Sequence, residues 1–496
     1  MSTINFKNNV VNHVVRLSSR YLIFFIIAGI AYYLSKAILS ENYTHIFVVA
    51  FALLFIFAVR FWRVSFFLAI VWLITGGALR KWVFPGYEKV FFFAPYIILS
   101  AVYLRFIGQR VISEKTIIGH TGINLIISFF LLWGVFEAFN PNLPEFVVGI
   151  IGLVIYFYFV PLLFITRYIF KDRQSILRFF KAFAVSAVPL LLLSIMQYFS
   201  PPDSPINTYV RTTESSIATA GQFVRVTSTF SYISGYTQYL EVLIMVIAYL
   251  LTIKGLSKRF VLFLYGLLPF TLVSLFMTGS RGPVAFSIIF ILVYLTLVFT
   301  RNQGRRKRNV MHLISALLVG IVLISSTFIG KESYSSFSER ASESSDIIPR
   351  IILTYTAPFR FFDKAGIVGF GIGSTYQGVQ EQFGVGSMWR KMGIGFEEEP
   401  GRIMLELGLI GFIMAYYIRF AIVRRFWILS KKTNRIDLKN LAIAVFIFLF
   451  PFFIGINVLA FNQIANFFYW FFSGFLLAIS DIDKNETTTG YNLSPR

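Results

Sequence analysis

Long apolar runs recur along the whole chain, and they constrain its fold more strongly than any other feature. They fall near 21–39, 43–59, 64–79, 89–107, 121–139, 146–168, 179–199, 233–253, 260–278, 283–300, 310–330, 401–423, 440–460 and 463–480. A helix needs about 20 apolar residues to cross about 30 Å of hydrocarbon, and it satisfies its own backbone hydrogen bonds there. Because 57% of the 496 residues are hydrophobic, about 14 such helices are possible. The runs predict an all-α integral membrane protein, a single polytopic domain over 1–496.

Charge supports this interpretation and suggests a topology. Only 14% of the residues are charged, and 45 Lys and Arg against 23 Asp and Glu give a formal net charge of +22. Soluble domains have about 25% charged residues, and nucleic-acid-binding proteins gather their basic residues on a solvated face. Here the basic clusters occupy alternate loops, at 60–63, 105–115, 167–178, 254–259, 301–308 and 424–435. The positive-inside rule therefore predicts that this face and both termini are cytoplasmic, with the lipid bilayer and no nucleic acid as a partner.

Several kinds of chemistry are disfavoured by what the sequence lacks. It contains no cysteine, which excludes disulfides and thiolate ligands. The four histidines, His13, His45, His120 and His312, are scattered, so we expect neither a metal site nor a cofactor. The GFGIG segment lacks the Lys-Ser/Thr pair that follows the glycines in a nucleotide-binding loop. The polar N-terminal stretch predicts no removable signal peptide.

Two loops on the predicted external face are long, at 200–232 and 331–400. Within the larger loop, DIIPRIILTYTAPFRFF has the pattern of a short amphipathic helix on the membrane surface, with Pro349 tolerated in its first turn. A glycine-rich stretch follows it. Loops of this length are more often functional or disordered than simple connections, so the large loop is where we expect a functional site.

Basic residues on the external face oppose the insertion rule and are therefore informative. They include Arg80, Lys81, Arg211, Arg225, Arg281, Arg340, Arg350, Arg360, Arg390, Lys391 and Arg402. Arginine presents a planar fork of donors that matches phosphate oxygens. Arg281 lies where one apolar run gives way to the next, and a helix N-terminus beside an arginine can bind an anion. Snorkelling or a salt bridge at a helix end explains Arg281 equally well.

An acidic cluster precedes the twelfth run. Glu397, Glu398 and Glu399 lie just before Arg402. Acidic residues at a helix N-terminus favour its positive dipole end, which is a sufficient structural explanation. In the functional alternative, one glutamate accepts a proton from an attacking hydroxyl while Arg402 holds an anion. Glu406, one turn further, could simply pair with Arg402.

The order of these segments is similar to that of a known superfamily. Arg225 and the TSTFSYISGYTQYL that follows, then TGSRGPVAF, then a long loop closing with GFGIGST, then EEEPGRIMLELGLIGF, all lie within residues 200–420. Over this region the chain resembles the O-antigen ligases and Wzy-type O-antigen polymerases. GALRKWVFP also resembles a stretch found in some polymerase-like members.

The resemblance implies a fold and an activity. Members have a GT-C-like helical fold and transfer glycan from an undecaprenyl-diphosphate donor, without metal or nucleotide, at the external face of the bacterial inner membrane. Arg225, Arg281 and Arg402 match arginines of the family, and we expect Arg350 to bind the diphosphate with them. A chain-length regulator protein is a further expected partner.

One departure from the family pattern favours a polymerase. Ligases usually carry a His-Asn/Ser pair about eleven residues before the glycine that matches Gly408, where this chain has Glu397 and Glu398. We therefore expect polymerisation of lipid-linked repeat units, with a base among Glu397 to Glu399. A ligase acting on lipid A core or protein remains the alternative. A flippase or other transporter is a second alternative, although the runs are nearly free of charge apart from Glu241.

Overall fold

The computed structural model describes residues 43–112, 122–210, 219–220, 223–301, 307–342, 347–378, 391–395 and 398–491. They belong to two compact units, one within 1–115 and the other within 116–496. The first predicted apolar run, at 21–39, lies outside the described residues. The described fold is all-helical except for one two-residue antiparallel ladder, in which Thr219–Ala220 (β1) pairs with Phe223–Val224 (β2).

The first unit contains three helices around an aromatic core. They are α1 (Tyr43–Arg60), α2 (Trp62–Ala78), which continues as a π-helical turn over Leu79–Val83, and α3 (Glu88–Ile112). Phe91 stacks on Trp72 and on Phe84, with ring centroids 6.0 and 4.5 Å apart. The indole nitrogen of Trp72 also donates to the Phe91 carbonyl at 3.2 Å, so this polar atom is satisfied within an apolar core.

The second unit contains the remaining helices. They are α4 (Gly122–Ala138), α5 (Phe146–Phe157), α6 (Leu162–Ile169), α7 (Arg173–Tyr198), α8 (Ile233–Leu251), α9 (Lys258–Met277), α10 (Arg281–Arg301), α11 (Lys307–Ser326), α12 (Phe328–Ser342), α13 (Ile347–Ala365), α14 (Glu399–Lys432), α15 (Ile436–Phe453), α16 (Gln463–Ser473) and α17 (Phe475–Tyr491). The central helix α8 is almost wholly buried. It packs against α7, α9, α10, α11, α15 and α16.

Nine helices in the described part of the chain are long and apolar enough to cross a membrane, and up to eleven spans result if two bent pairs each count as one. The bent pairs are α5 with α6, at 41°, and α11 with α12, at 85°. Residues 46–60 and 122–138 form shorter apolar helices. The described residues thus form an apolar helical protein with nine to eleven candidate spans. The sequence predicted fourteen over the whole chain.

Contacts between helix ends show that the second unit has two chemically different ends. At one end, Arg173 pairs with Asp437, and Arg167 pairs with Asp481 at 2.7 Å; we call this the Arg173 end. At the other end, α4, α7, α9 and α15 finish, and α5, α8, α10, α14 and α16 begin. This second end, which we call the Arg402 end, corresponds to the face that the sequence predicts to be external.

Candidate functional site

A loop over 366–376 and a break in α14 form one structural unit at the Arg402 end. In an unbroken helix, Leu409 and Ile410 would donate to the carbonyls of Leu405 and Glu406. Those carbonyls instead accept from Phe370 at 2.8 Å and Gly371 at 3.1 Å, while Leu409 and Ile410 donate to the carbonyls of Gly366 and Ile367 at 3.2 and 3.4 Å. The loop therefore takes over hydrogen bonds that the helix gives up.

Glycine at position 408 makes this exchange possible. Gly408 has φ 61° and ψ −168° inside α14, a conformation that is essentially restricted to glycine. A Cβ atom there would clash with the carbonyl of Ile367, so the absence of a side chain also lets the loop approach. The carbonyl of Leu407, next to the break, accepts from the Trp133 indole at 3.0 Å. Irregular backbone of this kind is tolerated near membrane depth when protein groups satisfy it.

Thr375 links the loop to two charged side chains of α14. Glu406 accepts hydrogen bonds from the Gly373 N–H at 3.0 Å, the Thr375 N–H at 2.8 Å and the Thr375 hydroxyl at 2.5 Å. Arg402 donates from Nε to the Thr375 hydroxyl at 3.1 Å and from Nη2 to its carbonyl at 2.9 Å. Its guanidinium carbon lies 3.4 Å from the ring centroid of Phe461. Arg402 and Glu406 are both buried and hold the loop between them.

Glu399 anchors a second loop, which joins α15 to α16 over 454–462. One carboxylate oxygen accepts from the N–H groups of Leu459 and Ala460 at 3.0 and 2.7 Å. The other pairs with Arg419 at 3.1 Å, and Arg419 also donates to the Phe452 carbonyl at 3.0 Å. Both members of the pair are buried. Both carboxylate oxygens of Glu399 therefore have partners within the protein. Through them Glu399 holds the start of α14 against the 454–462 loop.

The other two glutamates of the predicted cluster differ from Glu399. Glu398 precedes α14 as its N-cap residue; it accepts from the Gly395 N–H at 3.0 Å and pairs with Arg360 at 2.6 Å. Its side chain keeps 13% of its surface exposed, against none for Glu399. Glu397 lies outside the described residues.

Arg225 and Arg281 meet at the turn between α9 and α10. Arg225 donates from Nε to the Thr278 carbonyl at 2.8 Å and from Nη2 to the Ser280 hydroxyl at 3.0 Å. Arg281 follows Ser280 and is the first residue of α10. Both arginines are partly exposed. The fold thus brings two arginines that are far apart in sequence to one helix N-terminus.

The backbone that carries Arg225 is fixed to α7. The amide oxygen of Gln197 accepts from the N–H groups of Thr227 and Ser228 at 3.3 and 2.7 Å, and its nitrogen donates to the Ile206 carbonyl at 2.9 Å. Ser228 has a positive φ of 49°, so these bonds stabilise an otherwise unfavourable conformation. Gln197 was not among the residues that the sequence predicted for the site.

Arg350 lies on the first turn of α13, where its side chain is exposed. The predicted amphipathic helix is present as α13, which buries Ala357 and Phe361 against α14. Its other face exposes Ile352 and Phe359, at 55% and 80% of their surfaces. An exposed apolar face of this kind suits a helix at a membrane interface.

Buried polar residues outside the predicted set also form hydrogen bonds that hold loops in place. Asn140 donates to Glu137 at 2.8 Å and to the Gly369 carbonyl at 3.2 Å, which holds the glycine loop against the end of α4. Glu241 accepts from Gln238 at 3.0 Å and from Asn457 at 3.3 Å. Glu137 and Glu241 both lie within predicted apolar runs, so Glu241 is not the single exception to their lack of charge. The polar residues within the apolar runs were the available signal.

Neither a metal-binding group nor a similar known protein assigns a function to this site. Among the described residues, no group of three or more His, Asp or Glu side chains could hold a metal ion. Comparison of the chain with protein-family models and with curated proteins finds no match.

Proposed function

We propose that the protein polymerises oligosaccharide repeat units linked to undecaprenyl diphosphate, in the bacterial inner membrane and at its external face. This proposal includes a GT-C-like fold and membership in the O-antigen polymerase and ligase superfamily. The observation that carries it is the juxtaposition of Arg225 and Arg281 at the start of α10. Both are partly exposed, and Arg225 donates hydrogen bonds to Thr278 and Ser280, in the turn just before Arg281.

The proposed reaction requires stabilisation of a leaving diphosphate. A hydroxyl oxygen of the acceptor sugar attacks the anomeric carbon of the donor, the bond from that carbon to the diphosphate oxygen breaks, and the hydroxyl proton passes to a carboxylate. Negative charge grows on the diphosphate as the bond breaks. Arg225 and Arg281 are proposed to bind that charge, because preorganised donors stabilise it most where it develops.

The remaining predicted residues take different proposed roles. Glu398 is the proposed proton acceptor among the described glutamates, because it is partly accessible and lies at the start of α14. The ion pair between Glu398 and Arg360 would break in that step. Glu399 and Arg402 are proposed to position the 454–462 and 366–376 loops around the substrate, because both are buried and bound to those loops.

The test uses purified protein in liposomes with its lipid-linked repeat unit and no nucleotide sugar. Wild type is expected to yield a ladder of polymers. Arg281→Ala and Arg225→Ala are each expected to slow ladder formation about 10²-fold or more, as removal of a charge-stabilising donor commonly does. Lys254→Ala, an exposed residue at the Arg173 end, is the control and should retain full activity. A wild-type protein that forms no ladder, or two arginine variants with undiminished ladders, would overturn the proposal.

Transport of the lipid-linked unit is a second candidate, favoured by two observations. Glu241 is a buried carboxylate in the central helix α8, and α14 is broken at Gly408. Buried ionisable residues and broken helices are typical of transporter substrate pathways. Liposomes that carry the labelled unit in one leaflet distinguish the two functions. Movement to the other leaflet without linkage would support transport.

A further inference from the structure

A basic cleft lies at the Arg173 end of the second unit, the opposite end from Arg225, Arg281 and Arg402. It has a volume of about 430 Å³ and is lined by Asp172, Arg173, Gln174, Arg178 and Arg435. α7 begins at Arg173 and α15 begins at Ile436. Both helices are candidate membrane spans, so the cleft lies where spans end and lipid headgroups begin.

Arginines outnumber acidic residues in the lining of the cleft. Arg173 pairs with Asp437, and Arg435 lies 3.9 Å from the same carboxylate. Asp172 is used to cap α7, where it accepts from the Ser175 N–H at 2.8 Å. The lining of the cleft thus holds three arginines and one aspartate, and that aspartate is already engaged in the helix cap.

Arg178 is the residue best placed to bind a ligand. It is exposed, and within the described part of the chain no hydrogen bond or ion pair engages it. A guanidinium can donate two parallel hydrogen bonds to phosphate oxygens.

The surface beside Arg178 identifies the source of the phosphate. Val185, Leu192 and Met196 follow Arg178 at intervals of seven, seven and four residues, so they share its face of α7. They expose 53%, 54% and 60% of their surfaces. From Arg178 to Met196 the helix rises about 27 Å, close to the hydrocarbon thickness of about 30 Å. Acyl chains lying on this stripe would place their phosphate at the cleft, whereas a free phosphate would gain nothing from it.

We infer that this cleft binds the phosphate of an anionic phospholipid, with Arg178 as its main ligand and Arg173 and Arg435 beside it. The lipid belongs to the leaflet at the Arg173 end, which is cytoplasmic in the topology predicted from charge. Juxtamembrane basic clusters and basic pockets between helices on that side bind anionic headgroups in membrane proteins. The inference is independent of the proposed polymerase activity.

Native mass spectrometry of the delipidated full-length protein, titrated with phosphatidylglycerol, tests the inference. Arg178→Gln is expected to weaken binding about tenfold or more, because it removes a charge-assisted hydrogen bond. Lys432→Gln removes another exposed charge at the same end and should leave binding unchanged. Phosphatidylcholine, which has no net charge, should bind at least tenfold more weakly.

Three results would overturn the inference. Equal losses in Arg178→Gln and Lys432→Gln would indicate attraction by diffuse surface charge. Equal binding of phosphatidylcholine and phosphatidylglycerol would exclude selection for an anion. Displacement of the lipid by inorganic phosphate at the same concentration would show that the cleft binds free phosphate instead.

Discussion

Replacement of Gly408 with alanine is expected to detach the 366–371 loop from α14. Alanine cannot adopt φ 61° and ψ −168° without strain of about 1–3 kcal/mol. Its Cβ atom would also clash with the Ile367 carbonyl, so the loop must move away. The four hydrogen bonds between loop and helix each contribute about 0.5–1.5 kcal/mol net, and they are the interactions that the movement weakens.

Local hydrogen exchange measures this loss directly. The strain alone lowers the free energy of opening by about 1–3 kcal/mol, which corresponds to about 5- to 150-fold faster exchange. The amides of Phe370 and Gly371 should show it, because they donate to Leu405 and Glu406 in the native loop.

A matched variant separates this effect from a general one. Gly266→Ala lies inside the helix α9, where an added Cβ meets no atom within 4 Å. It should leave exchange at Phe370 and Gly371 unchanged. Unaltered protection of both amides in Gly408→Ala would refute the account of the break given above.

Two further predictions concern buried polar groups. Glu399→Gln leaves Arg419 buried without its counter-charge, and in denaturant unfolding it should destabilise the protein by about 3–5 kcal/mol. The double variant Glu399→Gln/Arg419→Met should recover part of that loss. A Glu399→Gln variant as stable as wild type would contradict this reasoning. Gln197→Leu removes the acceptor for the buried N–H of Ser228 and should cost about 1–3 kcal/mol in the same assay, whereas Met196→Leu, on the exposed side of the helix, should cost less than half as much.

Much of the fold follows from hydropathy, because a helix in lipid must be apolar over its length. Beyond residue 42, the predicted runs coincide with helices. Helix ends and bends were less predictable. The run predicted over 440–460 ends as a helix at Phe453, since Gly455 and Asn457 begin a loop within it. The run over 146–168 bends where Pro161 precedes α6.

The candidate site was only partly predictable, because most of its contacts join segments that are distant in sequence. The pattern identified the glycine-rich stretch and Arg402, but not that Thr375 joins Arg402 to Glu406. A charge count treats Arg402 and Arg281 alike. Arg402 is buried and holds the 366–376 loop, whereas Arg281 is partly exposed. Burial depends on tertiary packing, which a linear pattern does not contain.

The shared hydrogen bonds of loop and helix constrain how the protein is assembled in a membrane. In the broken conformation, the carbonyls of Leu405 and Glu406 and the N–H groups of Leu409 and Ile410 take their partners from the loop, and without it each would be an unsatisfied group that costs several kcal/mol in hydrocarbon. A newly inserted α14 is therefore most stable as a straight helix, which would be about 51 Å long for its 34 residues. Docking of the loop exchanges the bonds and leaves 409–432, about 36 Å long, to match the bilayer. The break at Gly408 therefore depends on the docked loop, which supplies the hydrogen-bond partners that the broken helix lacks.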